Sequence, residues 1–112
     1  MPLISLKTSL PEIEDLNGLI KELSKQLSVL TEKPEQYVMA MIETNIPMSF
    51  SGSNEPCCYA EVKSIGSLKP NEMSEVLSMI ISEKTKIPIN RIYISFENIE
   101  GSKWGFNGRT FA

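Results

Sequence analysis

The chain has no histidine. That removes the side chain most often used as a general base near neutral pH and the commonest metal ligand. It has only two cysteines, and these are adjacent, at Cys57 and Cys58. They make neither a disulfide framework nor a Cys-x-x-Cys pair, and a bond between neighbours would be strained. Free thiols, wholly or partly buried, are expected instead. A zinc site lacks ligands in such a chain. The carboxylates of Glu12, Glu14 and Asp15 suit a solvated helix start better than a metal. No metal and no cofactor is expected. No run approaches the roughly 20 apolar residues of a membrane span. The net charge is -3, from 14 acidic and 11 basic side chains that are interspersed. No basic patch argues for nucleic acid or an anionic membrane. The N-terminus has no basic region followed by a long apolar run. A cytoplasmic protein is expected, although export by an unconventional route would leave no such mark.

The 112 residues suit one domain spanning 1–112. LISLKT at 3–8 is a short strand candidate, and Ser9 and Glu12 stand at capping-box spacing. Leu16, Leu19, Ile20, Leu23, Leu27 and Leu30 then recur at helical spacing, interrupted by Gly18 and stopped by Pro34. YVMAMI at 37–42 is nearly all apolar, which predicts a strand covered on both faces. Residues 46–56 are rich in Pro, Gly and Ser and make a loop; CYAEVKSI at 58–65 is a third strand. Met73, Val76, Leu77, Ile80 and Ile81 mark a second helix, Pro88 ends it, and RIYISF at 91–96 is a fourth strand.

The two halves share one order: strand, amphipathic helix, proline-marked turn, strand. Pro34 precedes Val38 by the same spacing as Pro88 precedes Ile92. Each half has the length of a right-handed βαβ unit. The expected class is therefore α+β, an α/β sandwich: duplicated βαβ units in a four-stranded mixed sheet with both helices on one face. The other face is expected to expose an apolar patch that association would cover. The aromatic tail, with Trp104, Phe106 and Phe111, is expected to lie across a sheet edge or a neighbour.

Position 2 is proline. A small second residue favours loss of the initiator methionine, which would leave a secondary amine at the terminus. Burial or a nearby cation lowers an amine's pKa, and a neutral Pro2 nitrogen could then take a proton near pH 7.

Six fragments in order carry a family resemblance: MPLI at the start, EKPEQYV at 32–38, FSGSNEPC at 50–57, SIG at 64–66, RIYI at 91–94 and the ending NGRTFA. Together they resemble the macrophage migration inhibitory factor family of the tautomerase superfamily, over the whole chain. The resemblance implies a homotrimer with sites at subunit boundaries. It implies keto–enol tautomerisation of small aromatic α-keto acids such as phenylpyruvate, or of dopachrome-like compounds. It also implies the alternative of a cytokine-like signalling or binding module with an idle proline pocket. By position, Pro2 matches the catalytic base and Lys33 the active-site lysine. From the residues alone, Lys33 reads first as a helix C-terminal charge, a reading compatible with the other. Ser64 and Ile65 match a substrate-contacting strand edge, though Ile65 alone reads as core. Tyr93 matches a pocket tyrosine from the neighbouring subunit. Ser95 stands where animal members carry Asn, and Phe106 where they carry Trp; with Phe111 these complete the expected substrate-binding set. Ala60 stands where their second cysteine lies, so the thiol chemistry attributed to that motif is not carried over.

Overall fold

The structure, a computed structural model, describes residues 1–112. Strand β1 (Leu3–Thr8) turns Ile4, Leu6 and Thr8 into the core and Leu3, Ser5 and Lys7 to the other face. The expected capping box at Ser9 and Glu12 does not form. The Ser9 hydroxyl accepts the Cys57 N–H at 3.1 Å, and the Ser9 N–H donates to the Cys57 carbonyl at 3.2 Å. With Ser9 tied to the chain ahead of the third strand, Asp15 caps helix α1 (Leu16–Thr31), accepting the Gly18 N–H at 3.1 Å. A Cβ at Gly18 would collide with the Asp15 carboxylate. The glycine that weakens the helix is thus the one that admits its cap. Leu19, Leu23, Leu27 and Leu30 are buried as expected, while Leu16 in the first turn is exposed.

Glu32 ends α1 in the left-handed region at φ 57°. The strand expected from residue 37 starts later, as β2 (Met39–Glu43). After Pro34 the chain closes one tight turn at Glu35–Tyr37, with the Tyr37 N–H on the Pro34 carbonyl at 3.0 Å. The same turn recurs after Pro88, at Ile89–Arg91, with the Arg91 N–H on the Pro88 carbonyl at 2.9 Å. The remaining elements are β3 (Cys58–Ser64), α2 (Pro70–Thr85), β4 (Ile92–Asn98) and a small hairpin, β5 (Gly105–Phe106) and β6 (Arg109–Thr110). No helix is long and apolar enough to cross a membrane.

The main sheet runs β2-β1-β3-β4. β1 is parallel to β2 and β3 to β4, while β1 and β3 are antiparallel at the centre. Each half is a βαβ unit, and the whole is the mixed sheet expected. Leu19, Leu23 and Leu27 from α1 and Met73, Leu77 and Ile81 from α2 join Ile4, Leu6, Ala60 and Val62 in one core on one face. Burying each of these Leu, Ile, Val and Met side chains contributes about 1.5–3 kcal/mol.

The opposite face differs from the expected apolar patch. Register places Met39, Leu3, Lys63 and Glu97 in one row, then Met41, Ser5, Glu61 and Ser95, then Glu43, Lys7, Tyr59 and Tyr93. β2 is an edge strand whose Met39 and Met41 are exposed, so within one chain it is not covered on both faces. Beside those methionines the face is mostly polar. The period-2 alternation of β1, β3 and β4 puts their charged residues on this side.

Candidate active site

Pro2 is buried, and its carbonyl accepts the Met39 N–H at 3.1 Å. That bond carries the β1–β2 pairing one residue beyond the strand and fixes the start of the chain against the sheet. Proline suits a strand's first position because it has no N–H to pair. Beside it lies a cavity of about 580 Å³, lined by Met1, Pro2, Tyr37, Lys63, Trp104 and Phe106 among others.

Lys33 is held by the end of α1. Its N–H donates to the Ser28 carbonyl at 3.2 Å, and its carbonyl accepts the Ser28 hydroxyl at 2.6 Å. With both backbone groups fixed, the side chain reaches across to the residue that follows β3. Its Nζ donates to the Ile65 carbonyl at 3.0 Å. Burial, then the Lys33 charge and a hydrogen bond to it, hold the Met1 α-amine below the ordinary value. The start of the chain therefore lies where an amine is pushed toward its neutral form.

Aromatic rings wall the cavity. Tyr37 meets Phe106 edge-on at 5.9 Å between centroids, and Phe111 stacks on Phe106 at 5.8 Å and 7°. The tail folds back on itself to make this wall: the Phe111 N–H is shared between the carbonyls of Gly101 (3.1 Å) and Trp104 (3.3 Å).

The other expected site residues lie elsewhere within the chain. Ser64 is fully buried on the helix-covered face; its carbonyl accepts the Ile99 N–H at 2.8 Å, and its hydroxyl has no partner. Neither Ser64 nor Ile65 lines the cavity, and Ile65 enters through its carbonyl bond to Lys33. Tyr93 and Ser95 sit on the open face of β4, two strands from β1. By register Tyr93 aligns with Lys7 and Ser95 with Ser5, roughly 15–20 Å from Pro2 at strand spacings. Tyr93 instead packs on Phe50, 4.5 Å between centroids. The Ser95 hydroxyl is 2.8 Å from the Tyr59 hydroxyl, which also donates to Glu61 at 3.0 Å.

Sequence reading missed Gln36, Lys63, Ile99 and Lys103, which line the cavity, and Tyr37 as a wall rather than a strand residue. The signal for Tyr37 was the proline three residues earlier, which starts a turn. Lys63 is brought there by its pairing with Leu3, which no local pattern reveals. Cys57 and Cys58 are free and buried, away from this cavity. Burial pushes the Cys58 thiol up to about 11.

The profile of the "Macrophage migration inhibitory factor (MIF)" family matches residues 1–112. A macrophage migration inhibitory factor homolog of Brugia malayi is 36% identical over 114 residues, 99% of each chain. The macrophage migration inhibitory factor of Mus musculus is 32% identical over 115 residues, the full length of both. Among solved structures, the homologue from Prochlorococcus marinus superposes with a TM-score of 0.95 at 46% identity, over 98% of this chain and 99% of that one. The Trichinella spiralis protein gives 0.88 at 31%, over 97% and 99%. Full-length matches in sequence and in structure agree with the duplicated βαβ sheet: the chain belongs to the macrophage migration inhibitory factor family and has the tautomerase-type fold.

Proposed function

We propose that the chain is a keto–enol tautomerase of small aromatic α-keto acids, phenylpyruvate-like, with Pro2 as its general base. Membership of the family supports tautomerase activity in general terms. The observation that carries the finer reading is the environment at the start of β1. There, burial and Lys33 depress the Met1 α-amine, one residue ahead of Pro2, beside a cavity walled by Tyr37 and Phe106.

Loss of Met1 is required, because the methionyl bond makes the Pro2 nitrogen an amide with no useful basicity. In the freed chain, the neutral Pro2 nitrogen takes a proton from the carbon next to the keto group. The C–H electron pair becomes the new C=C bond, and the carbonyl oxygen gains negative charge. Lys33, which stands by the start of the chain outside the cavity lining, turns its ammonium from the Ile65 carbonyl to the anionic oxygens. Protonated Pro2 then delivers its proton to the oxygen, which gives the enol and restores the amine. Aromatic substrates fit the flat walls of Tyr37 and Phe106, and Phe111 backs Phe106. In this reading Tyr93 and Ser95 serve the pocket of a neighbouring copy in a homotrimer, because within one chain they stand at the far side of the sheet.

Intact mass and phenylpyruvate tautomerase activity, measured on the same sample, test the proposal. Chains lacking Met1 are active, and chains retaining it are nearly inert. Pro2→Gly, also freed of Met1, loses most activity. Near-parental kcat/KM in that variant would remove Pro2 as the base. Light scattering gives a mass near three chains, and a stable monomer would refute the shared pocket.

A further inference from the structure

The cavity beside Pro2 has a charge pattern that the chain as a whole lacks. Acidic side chains outnumber basic ones by 14 to 11, yet no Asp or Glu lines this cavity. Its charged lining side chains are Lys63 and Lys103. Lys33 is not among them and is engaged with the Ile65 carbonyl at 3.0 Å.

Neither lining lysine is firmly paired. Lys63 projects from the open face of β3 opposite Leu3, next to Pro2 in the chain. Its one ion pair is with Glu97 at 3.8 Å, and the Glu97 side chain is 62% exposed. A contact so long and so exposed contributes little and yields readily to a competing anion. Lys103 ends the turn at Gly101–Lys103, immediately before Trp104, and makes no ion pair. Two ammonium groups in a wall without carboxylates raise the potential inside it, and the apolar walls between them concentrate that field. The α-keto carboxylate assigned to Lys33 leaves Lys103 without a partner and Lys63 with only its long contact to Glu97.

We infer that the cavity accepts an aromatic substrate bearing a second anionic group, a carboxylate or phosphate beyond the α-keto acid, held by Lys63 and Lys103. The inference rests on the α-keto acid reading above and names a narrower substrate class for the same site.

The test compares 4-carboxyphenylpyruvate with 4-carbamoylphenylpyruvate, which share a shape and differ in charge. Binding is read by quenching of Trp104, the only tryptophan and a cavity residue. Turnover is read as kcat/KM. At low ionic strength the carboxylate is expected to bind about tenfold more tightly, a preference that falls severalfold near 0.5 M salt. The ratio should fall toward one in Lys63→Gln/Lys103→Gln, and persist in Lys63→Arg/Lys103→Arg. Ratios cancel any loss of folded protein from the sample, and each single Gln variant should remove part of the preference. Equal binding of the two probes, or a preference unchanged in the double Gln variant, overturns the inference. A binding preference without turnover of either probe would strike the tautomerase reading alone. Turnover with a ratio of one would strike only the second anion.

Discussion

Arg91 ends the turn after Pro88 and reaches back over the loop that precedes β3. Its Nε donates to the Pro56 carbonyl at 3.0 Å, Nη1 to Phe50 at 3.1 Å, and Nη2 to Glu55 at 2.8 Å and Ser53 at 3.4 Å. The guanidinium also lies 5.3 Å from the centre of the Phe50 ring. Arg91→Met keeps most of the stem's volume and removes the fork. Bonds from a charged donor contribute about 1.5–3 kcal/mol each where water is excluded. Here two of them are exposed, the released carbonyls can rehydrate, and the 3.4 Å contact is marginal. With the three shorter bonds discounted to about 0.5–1 kcal/mol each and the ring contact at about 0.5–1, the expected loss is about 2–4 kcal/mol. Arg91→Lys keeps a charge but not the planar fork, and should lose more than half of that. The assay is urea unfolding at one fixed protein concentration, read as a lower midpoint at unchanged slope. Limited proteolysis should show new cleavage within residues 47–57. Because Phe50 packs on Tyr93, KM for aromatic substrates should rise as well. A loss below about 0.5 kcal/mol with the loop still resistant would refute the reasoning, since surface substitutions commonly fall in that range.

Lys33→Met should shift the rising limb of the pH–rate profile to higher pH. With Met1 in place, Lys33 lowers the pKa of the terminal amine. The same cation should act likewise on the Pro2 amine once Met1 is lost, so its removal should leave less neutral base at pH 7. Burial is the larger cause at the Met1 amine, so a limb set in the same surroundings should stop short of an ordinary amine's value; an unmoved limb would remove Lys33 from the site's electrostatics. Cys57 and Cys58 should resist alkylation at pH 8 in the native protein and both react in urea, as counted by mass. The Cys58 pKa is raised on folding, so its contribution to stability is present below pH 9 and is lost as pH rises toward about 11. Urea midpoints across that range check the sign. Leu27→Ala, at a fully buried position of α1, should cost about 2–5 kcal/mol with the fold retained by circular dichroism.

The elements were legible where a repeat in the residues meets a repeat in the backbone. Leu19, Leu23 and Leu27 recur at helical spacing, and the alternation in β4 separates Ile92, Ile94 and Phe96 from Tyr93 and Ser95. The duplicated proline turns made the βαβ repeat visible before any contact was known. What failed depended on distant partners. Ser9 looks like a helix cap, but its hydroxyl is claimed by Cys57, 48 residues away. The open face looked apolar because β2 was read alone. Across the sheet, the rows through Ser5, Lys7, Glu61 and Lys63 are polar, and only register shows that.

The candidate site divides along the same line. Nothing local marks Lys33 as more than a helix-end charge; the two bonds from Ser28 and the reach to Ile65 make it a neighbour of the chain's first residues. Lys33 was therefore reached through resemblance, whereas Pro2 was already a candidate base from its place in the chain; the fold adds that Lys33 acts on the amine at the chain's start. Lys63 and Lys103 carry no motif; the pairing of β1 with β3 and the fold-back of the tail bring them to one cavity. Tyr93 and Ser95 pose the opposite case, because the resemblance places them in the pocket while the sheet of one chain holds them two strands away. Both statements hold only if a second copy supplies them, which makes the shared pocket a requirement of the proposed mechanism. Mixing Pro2→Gly chains with Tyr93→Phe chains tests that requirement. Sharing puts some sites with both defects and some with neither into each mixed trimer, so activity rises above the average of the two pure variants. Activity that stays at that average would confine each site to one chain.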